Sequence, residues 1–128
     1  MIKSDVLKAL EEIQAAFPAA KLESHPDGQG GAYFFMHPVD PGAIYADRNL
    51  WLGADISAQY PYADIYPVFI SPDLKRVDGG AYGDAITTGH SFHGRPAIQL
   101  SRRSRSHNPA VDTAAMKILK VLEWLASR

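Results

Sequence analysis

Tyr60-Pro61-Tyr62-Ala63-Asp64-Ile65-Tyr66-Pro67-Val68-Phe69-Ile70 sets two tyrosine–proline steps ahead of an apolar triplet. A proline ring disfavours helical backbone at the residue before it, so Tyr60 and Tyr66 are held to extended or turn conformations. The stretch reads as a rigid, aromatic-rich connection at a sheet edge. It runs into a strand at Val68-Phe69-Ile70, which Ser71-Pro72-Asp73 closes. Tyr60, Tyr62 and Tyr66 are then core or rim residues first and candidate partner contacts second.

Upstream, Leu50-Trp51-Leu52-Gly53-Ala54-Asp55-Ile56 alternates, with Leu50, Leu52, Ala54 and Ile56 facing one way. Ala32-Tyr33-Phe34-Phe35-Met36 is another strand, and Gly28, Gly30 and Gly31 before it suit a hairpin turn. The links are too short for helical crossovers, which predicts an antiparallel meander. Further back, Ser4 caps a helix with Val6, Leu7, Leu10, Ile13 and Phe17 on one face. Lys8, Glu11 and Glu12 lie on the other, and Pro18 ends it.

Downstream, residues 71–96 are rich in Gly, Pro, Asp and Ser and read as a long irregular loop of the partner-facing kind. Ala97-Ile98-Gln99-Leu100 is a short strand. Asn108-Pro109 then signals the start of a final helix. Its buried side is Ala115, Ile118, Leu119, Leu122, Trp124 and Leu125. The expected fold is one α+β domain over residues 1–128: N-terminal helix, four-stranded antiparallel meander, long loop, C-terminal helix.

The 128 residues suit one domain, and 46% hydrophobic content fills one core. Thirteen basic against 14 acidic residues give no long-range pull toward nucleic acid or an anionic membrane. Cysteine is absent, which excludes disulfides, thiolate metal sites and thiol nucleophiles. Met1-Ile2-Lys3-Ser4-Asp5 turns polar at once, unlike a signal peptide, and no run nears the roughly 18 apolar residues of a membrane span. The expectation is a cytoplasmic protein.

Three groups are candidates for chemistry. His90, His93 and His107, with Asp112, offer the donors of a zinc site, so a small metal-dependent hydrolase is the alternative reading. No His-Glu-x-x-His pattern is present, and the glycine-bounded segment around His90 reads as a loop. Hydrogen-bonding histidines, with no metal and no cofactor, are the preferred reading. Arg102, Arg103 and Arg105 near a helix start suit a phosphate or a carboxylate-rich partner, or simply form a solvated turn. Ser91 with His90 or His93 and Asp84 lacks the Gly-x-Ser-x-Gly elbow of a serine hydrolase. Asp78, before Gly79-Gly80, serves a turn, and Asp112 supports the last helix's first turn.

Taken in order, the N-terminal helix, Leu50–Ile56, Tyr60-Pro61-Tyr62 through Pro67-Val68-Phe69, Gly94, Leu100, Asn108-Pro109-Ala110 and Val121-Leu122 resemble the ubiquitin-conjugating enzyme (E2) superfamily. That family joins a helix, a four-stranded meander, a Tyr-Pro turn, a loop holding His-Pro-Asn and the active cysteine, and C-terminal helices. Aligning Asn108-Pro109-Ala110 on the family's Ser-Pro-Ala places Gln99 at the cysteine position. His-Pro-Asn is missing, and only His90 lies near its first position. A carboxamide is no nucleophile near neutral pH. Ser101 and Ser104 are close, but an ester would not mimic thioester transfer. The chain resembles a cysteine-less E2 variant and, in its compactness, bacterial E2-like proteins. The resemblance implies no catalytic residue. It implies partners among ubiquitin-like proteins, E1-like or E2-like enzymes and JAB-type peptidases, and a homodimer is compatible with it. Tyr60, Tyr62, Tyr66, His90, His93, Arg102, Arg103 and Arg105 are the expected contact residues; the sheet face and the 71–96 loop are the expected surfaces, with the three arginines lining one edge.

Overall fold

A computed structural model describes residues 1–104 and 106–128. They form α1 (Ser4–Ala16), β1 (Lys21–Pro26), β2 (Ala32–Val39), β3 (Leu50–Ile56), β4 (Val68–Ile70), β5 (Ile86–Phe92), β6 (Arg95–Leu100) and α2 (Ala114–Ala126). The strands make one antiparallel sheet in the order β1-β2-β3-β4-β6-β5.

Helical spacing brings Val6, Ala9, Leu10 and Ile13 of α1 to one buried stripe. Alternation brings Phe34 and Met36 of β2, and Leu50, Leu52, Ala54 and Ile56 of β3, to the facing side of the sheet. Ile118, Val121 and Leu125 of α2 complete this core, so both helices cover the same face. Gly28 and Gly30 turn the β1–β2 hairpin at φ of 83° and 94°, a left-handed backbone glycine adopts without strain. The Asp27 carboxylate accepts the Gln29 and Gly31 amides across that turn.

Tyr45, in the link after β2, is 2% exposed and donates its hydroxyl to the Leu125 carbonyl at 3.0 Å. That carbonyl also accepts the Arg128 amide at 3.1 Å, so the hydroxyl is a second donor to it and ties α2 to the sheet side. Tyr45→Phe should therefore lower stability by about 1 kcal/mol in urea denaturation. An unchanged midpoint would mean that the Arg128 amide alone satisfies the carbonyl.

Several expectations need correction. The sheet has six strands rather than four. β1 carries no apolar alternation to read, because as an edge strand it exposes nearly every side chain. Residues 86–100 are a hairpin, β5–β6, turned at His93 and Gly94 (φ 45° and 84°), so only the first part of the expected 71–96 loop is irregular. β5 buries only Ile86 and Phe92, and Thr, Gly, Ser and His between them imitate a loop. Lys3, without a side-chain cap bond, precedes α1, and Ser4 is its first helical residue. α2 starts at Ala114, capped by Thr113 Oγ1 accepting the Met116 amide. Asn108 and Asp112 close a separate turn before it, the Asp112 carboxylate accepting the Asn108 amide. The buried face of α2 is Ala114, Ala115, Lys117, Ile118, Val121 and Leu125. Leu119 is 40% exposed, and Leu122 and Trp124 are only partly buried.

A second, smaller cluster lies on the outer face of the sheet: Phe35, Phe69, Phe92 and Ala97, flanked by Tyr33 and Trp51. The β5–β6 ladder shifts register between Thr87 and His90, and such an irregularity bends a strand. The hairpin's end thereby folds over the outer face. Gly53 makes room for it: a Cβ there would stand 2.8 Å from the Phe92 ring and 2.5 Å from the Phe34 carbonyl.

Candidate functional site

The Tyr-Pro segment and the arginine segment meet beside α2. Both tyrosine–proline bonds are cis. Tyr60 is buried, and its hydroxyl oxygen accepts the Ala114 amide at 2.9 Å, so this tyrosine is a brace for α2. Burial also pushes the Tyr60 hydroxyl above its ordinary pKa. Tyr66 is half-buried and carries the Arg103 guanidinium 3.9 Å above its ring. Tyr62 alone of the three is open to solvent, at 78%.

Behind the arginines lies a buried ion pair. Lys117 is 7% exposed, and its ammonium donates to Asp64 Oδ2 (2.9 Å), the Arg102 carbonyl (2.6 Å) and Ser104 Oγ (3.2 Å). The Asp64 carboxylate also accepts the Ser104 amide at 2.9 Å. Burial by itself would raise the Asp64 carboxyl. The Ser104 amide and the Lys117 ammonium outweigh it and hold the group below the usual carboxylate value. This network fixes the backbone of residues 102–104 against α2, which aims Arg102 and Arg103 outward. The Arg102 guanidinium stands 5.7 Å from the Trp124 ring centre. Arg105 lies outside the described residues.

The outer sheet face carries a different set. Arg95 stacks 3.7 Å over Phe35 and donates to Glu23 Oε1 at 3.0 Å. His93 pairs with Asp55 Oδ1 at 2.7 Å and stacks on Tyr33 at 3.6 Å. His25 stacks on Tyr33 as well. The centre of this face, expected to be open for a partner, is thus covered by the chain's own hairpin.

The histidines named in the sequence are not brought together. His90 Nε2 meets Thr87 Oγ1, His93 meets Asp55, and His107 Nε2 meets the Pro61 carbonyl at 2.7 Å. Among the described residues, no three His, Cys, Asp or Glu side chains come close enough to share a metal. His107 Nδ1 is buried without a hydrogen-bond partner there. Ser91 is bonded to neither histidine nor Asp84 among the described residues, so no triad forms. Gln99 sits inside β6, paired with Phe69 and Thr87, and its amide donates to Ser101 Oγ at 2.9 Å.

Lys117 and Asp64 were missed. Lys117 falls three after Ala114 and four before Val121, inside the apolar stripe, and that placement was the available signal. Asp55 and Arg95 gave no comparable sign. No helix among the described residues is long and apolar enough to cross a membrane. Compared with family models, curated proteins and solved structures, the chain finds no significant match.

Proposed function

We propose that the chain is a non-catalytic, E2-like binding protein that recognises a ubiquitin-like protein or an E1-like or E2-like partner. The observation that carries the reading is the setting of Gln99. At the position where the resemblance puts the nucleophile stands a carboxamide. It lies in a strand bonded on both sides and is engaged with Ser101. A carboxamide there cannot form an acyl adduct, and the chain has no cysteine elsewhere to supply one. The order helix, antiparallel sheet, helix supports the likeness. The hairpin in place of the family's long loop departs from it.

Mixing the purified chain with a co-encoded ubiquitin-like protein and its activating enzyme tests the reading. The expected result is a complex measurable by calorimetry, with no covalent conjugate on gels run with or without reductant. A conjugate through any side chain, or no complex with any of those proteins, would overturn it.

A further inference from the structure

We infer that the cleft between residues 102–104 and α2 binds an acidic polypeptide segment carrying an apolar side chain. The cleft, about 470 Å³, has Arg102, Arg103, Lys120, Val121 and Trp124 among its lining residues. Its charge is unbalanced. Lys117 is neutralised by Asp64 behind the wall. Of the remaining cations, only Lys120 has a carboxylate near, Asp112 at 3.9 Å, and the other oxygen of Asp112 already accepts the Asn108 amide. Arg102 and Arg103 pair with no carboxylate among the described residues.

The contrast with Arg48, Arg76 and Arg95 is the main evidence; Arg128, the last residue described, resembles Arg102 in lying near Trp124 with no acidic side chain paired to it among the described residues. Arg48, Arg76 and Arg95 each hold an acidic side chain, Asp40, Asp78 and Glu23 respectively. Those arginines are occupied. Arg102 and Arg103 instead lie over aromatic faces, Trp124 and Tyr66, an arrangement that leaves the edges of the guanidinium fork available. The Lys117–Asp64 network fixes the backbone that carries them, so little ordering remains to oppose binding. Carboxylates suit the two forks and Lys120, while the half-buried ring of Trp124 gives an apolar side chain a seat.

A polypeptide fits better than a nucleic acid. The chain's net charge of −1 gives no long-range pull on a long polyanion, and single-strand binding needs several aromatic platforms along a broad basic groove. Here Trp124 is the one aromatic ring among the cleft's lining residues.

The proposal does not rest on the E2-like reading, and a chain that binds no ubiquitin-like protein would leave it intact. The test is fluorescence anisotropy with a labelled short peptide in which aspartates and glutamates flank one leucine. Its counterpart has asparagine and glutamine in their place. The full chain should bind the acidic peptide saturably, more weakly as salt rises, and leave the neutral one unbound. Arg102→Gln with Arg103→Gln should weaken binding by about tenfold or more, since each removes a charge-assisted bond. Arg48→Gln, outside the cleft, should change nothing. Equal binding of both peptides, an unaffected double variant with a native circular dichroism spectrum, or tighter binding of a single-stranded oligonucleotide would each overturn the proposal.

Discussion

Lys117→Met should cost about 3–5 kcal/mol of folding stability, the loss typical of breaking a buried ion pair from one side. The methionine fills the volume but leaves the Asp64 carboxylate, only 17% exposed, without its cation. The Arg102 carbonyl and Ser104 hydroxyl lose a donor in the same step. Asp64→Leu added to Lys117→Met should recover much of the loss, because an apolar pair leaves no charge buried. Acid unfolding gives a second readout. The folded Asp64 carboxyl lies below its ordinary value of 3.8. Its contribution is therefore complete above about pH 4 and lost as pH falls through the lower folded value. Without Lys117 that depression shrinks, so less stability is lost to acid through Asp64, and Lys117→Met should cost less near pH ~3 than at neutral pH. Guanidinium titrations at neutral pH and near pH ~3 measure both effects. A change under about 1 kcal/mol would mean solvent screens the pair as it does a surface one.

Such a network was not legible from the residues alone, since it joins Asp64 to Lys117 across 53 positions of chain. A lone lysine in an apolar stripe signals a partner without naming it. The elements whose own side chains alternate or repeat were readable: α1, β2, β3 and β4 lie where period and punctuation place them. β1, β5 and the start of α2 were not. β1 and β5 are edge strands held by backbone ladders, and ladder bonds leave little trace in side-chain chemistry. Asn108-Pro109 carries a strong start signal, yet those residues use it for a local turn closed by Asp112, and Thr113 caps the helix instead. Tyr60 as a packing residue was legible. The split of the histidines among three unrelated partners was not, because His90 and His93 are placed by the irregularity in β5 and His107 meets Pro61 across 46 positions of chain. Arg102 and Arg103 stood out by type, but their freedom from carboxylates needed the folded neighbourhood.

The same bend makes Phe92 decisive for the outer face. Phe92→Ala should cost about 3–4 kcal/mol, a core-sized loss from a face the sequence left open. Phe92 is 3% exposed, stacks on Phe69 with centres 4.7 Å apart, meets Phe35 edge-on at 5.2 Å, and seats against Gly53. The contacts beside it are weaker. His93–Asp55 and Arg95–Glu23 are partly exposed pairs of the kind worth under about 1 kcal/mol each. They align the hairpin end but cannot hold it down once the ring is gone. His93→Ala should therefore move the denaturation midpoint little, whereas Phe92→Ala should release residues 93–96 and expose Phe35 and Trp51. Amide exchange over the hairpin and the emission of Trp51, read with Trp124→Phe in the background, report that release. If Phe92→Ala costs under about 1 kcal/mol, or His93→Ala costs as much, the face is closed by polar contacts rather than by the buried ring. A partner needing this face would then have only a polar latch to open. With Phe92 as the anchor, binding there must offset the full burial of an aromatic ring, which leaves the arginine cleft the more accessible surface.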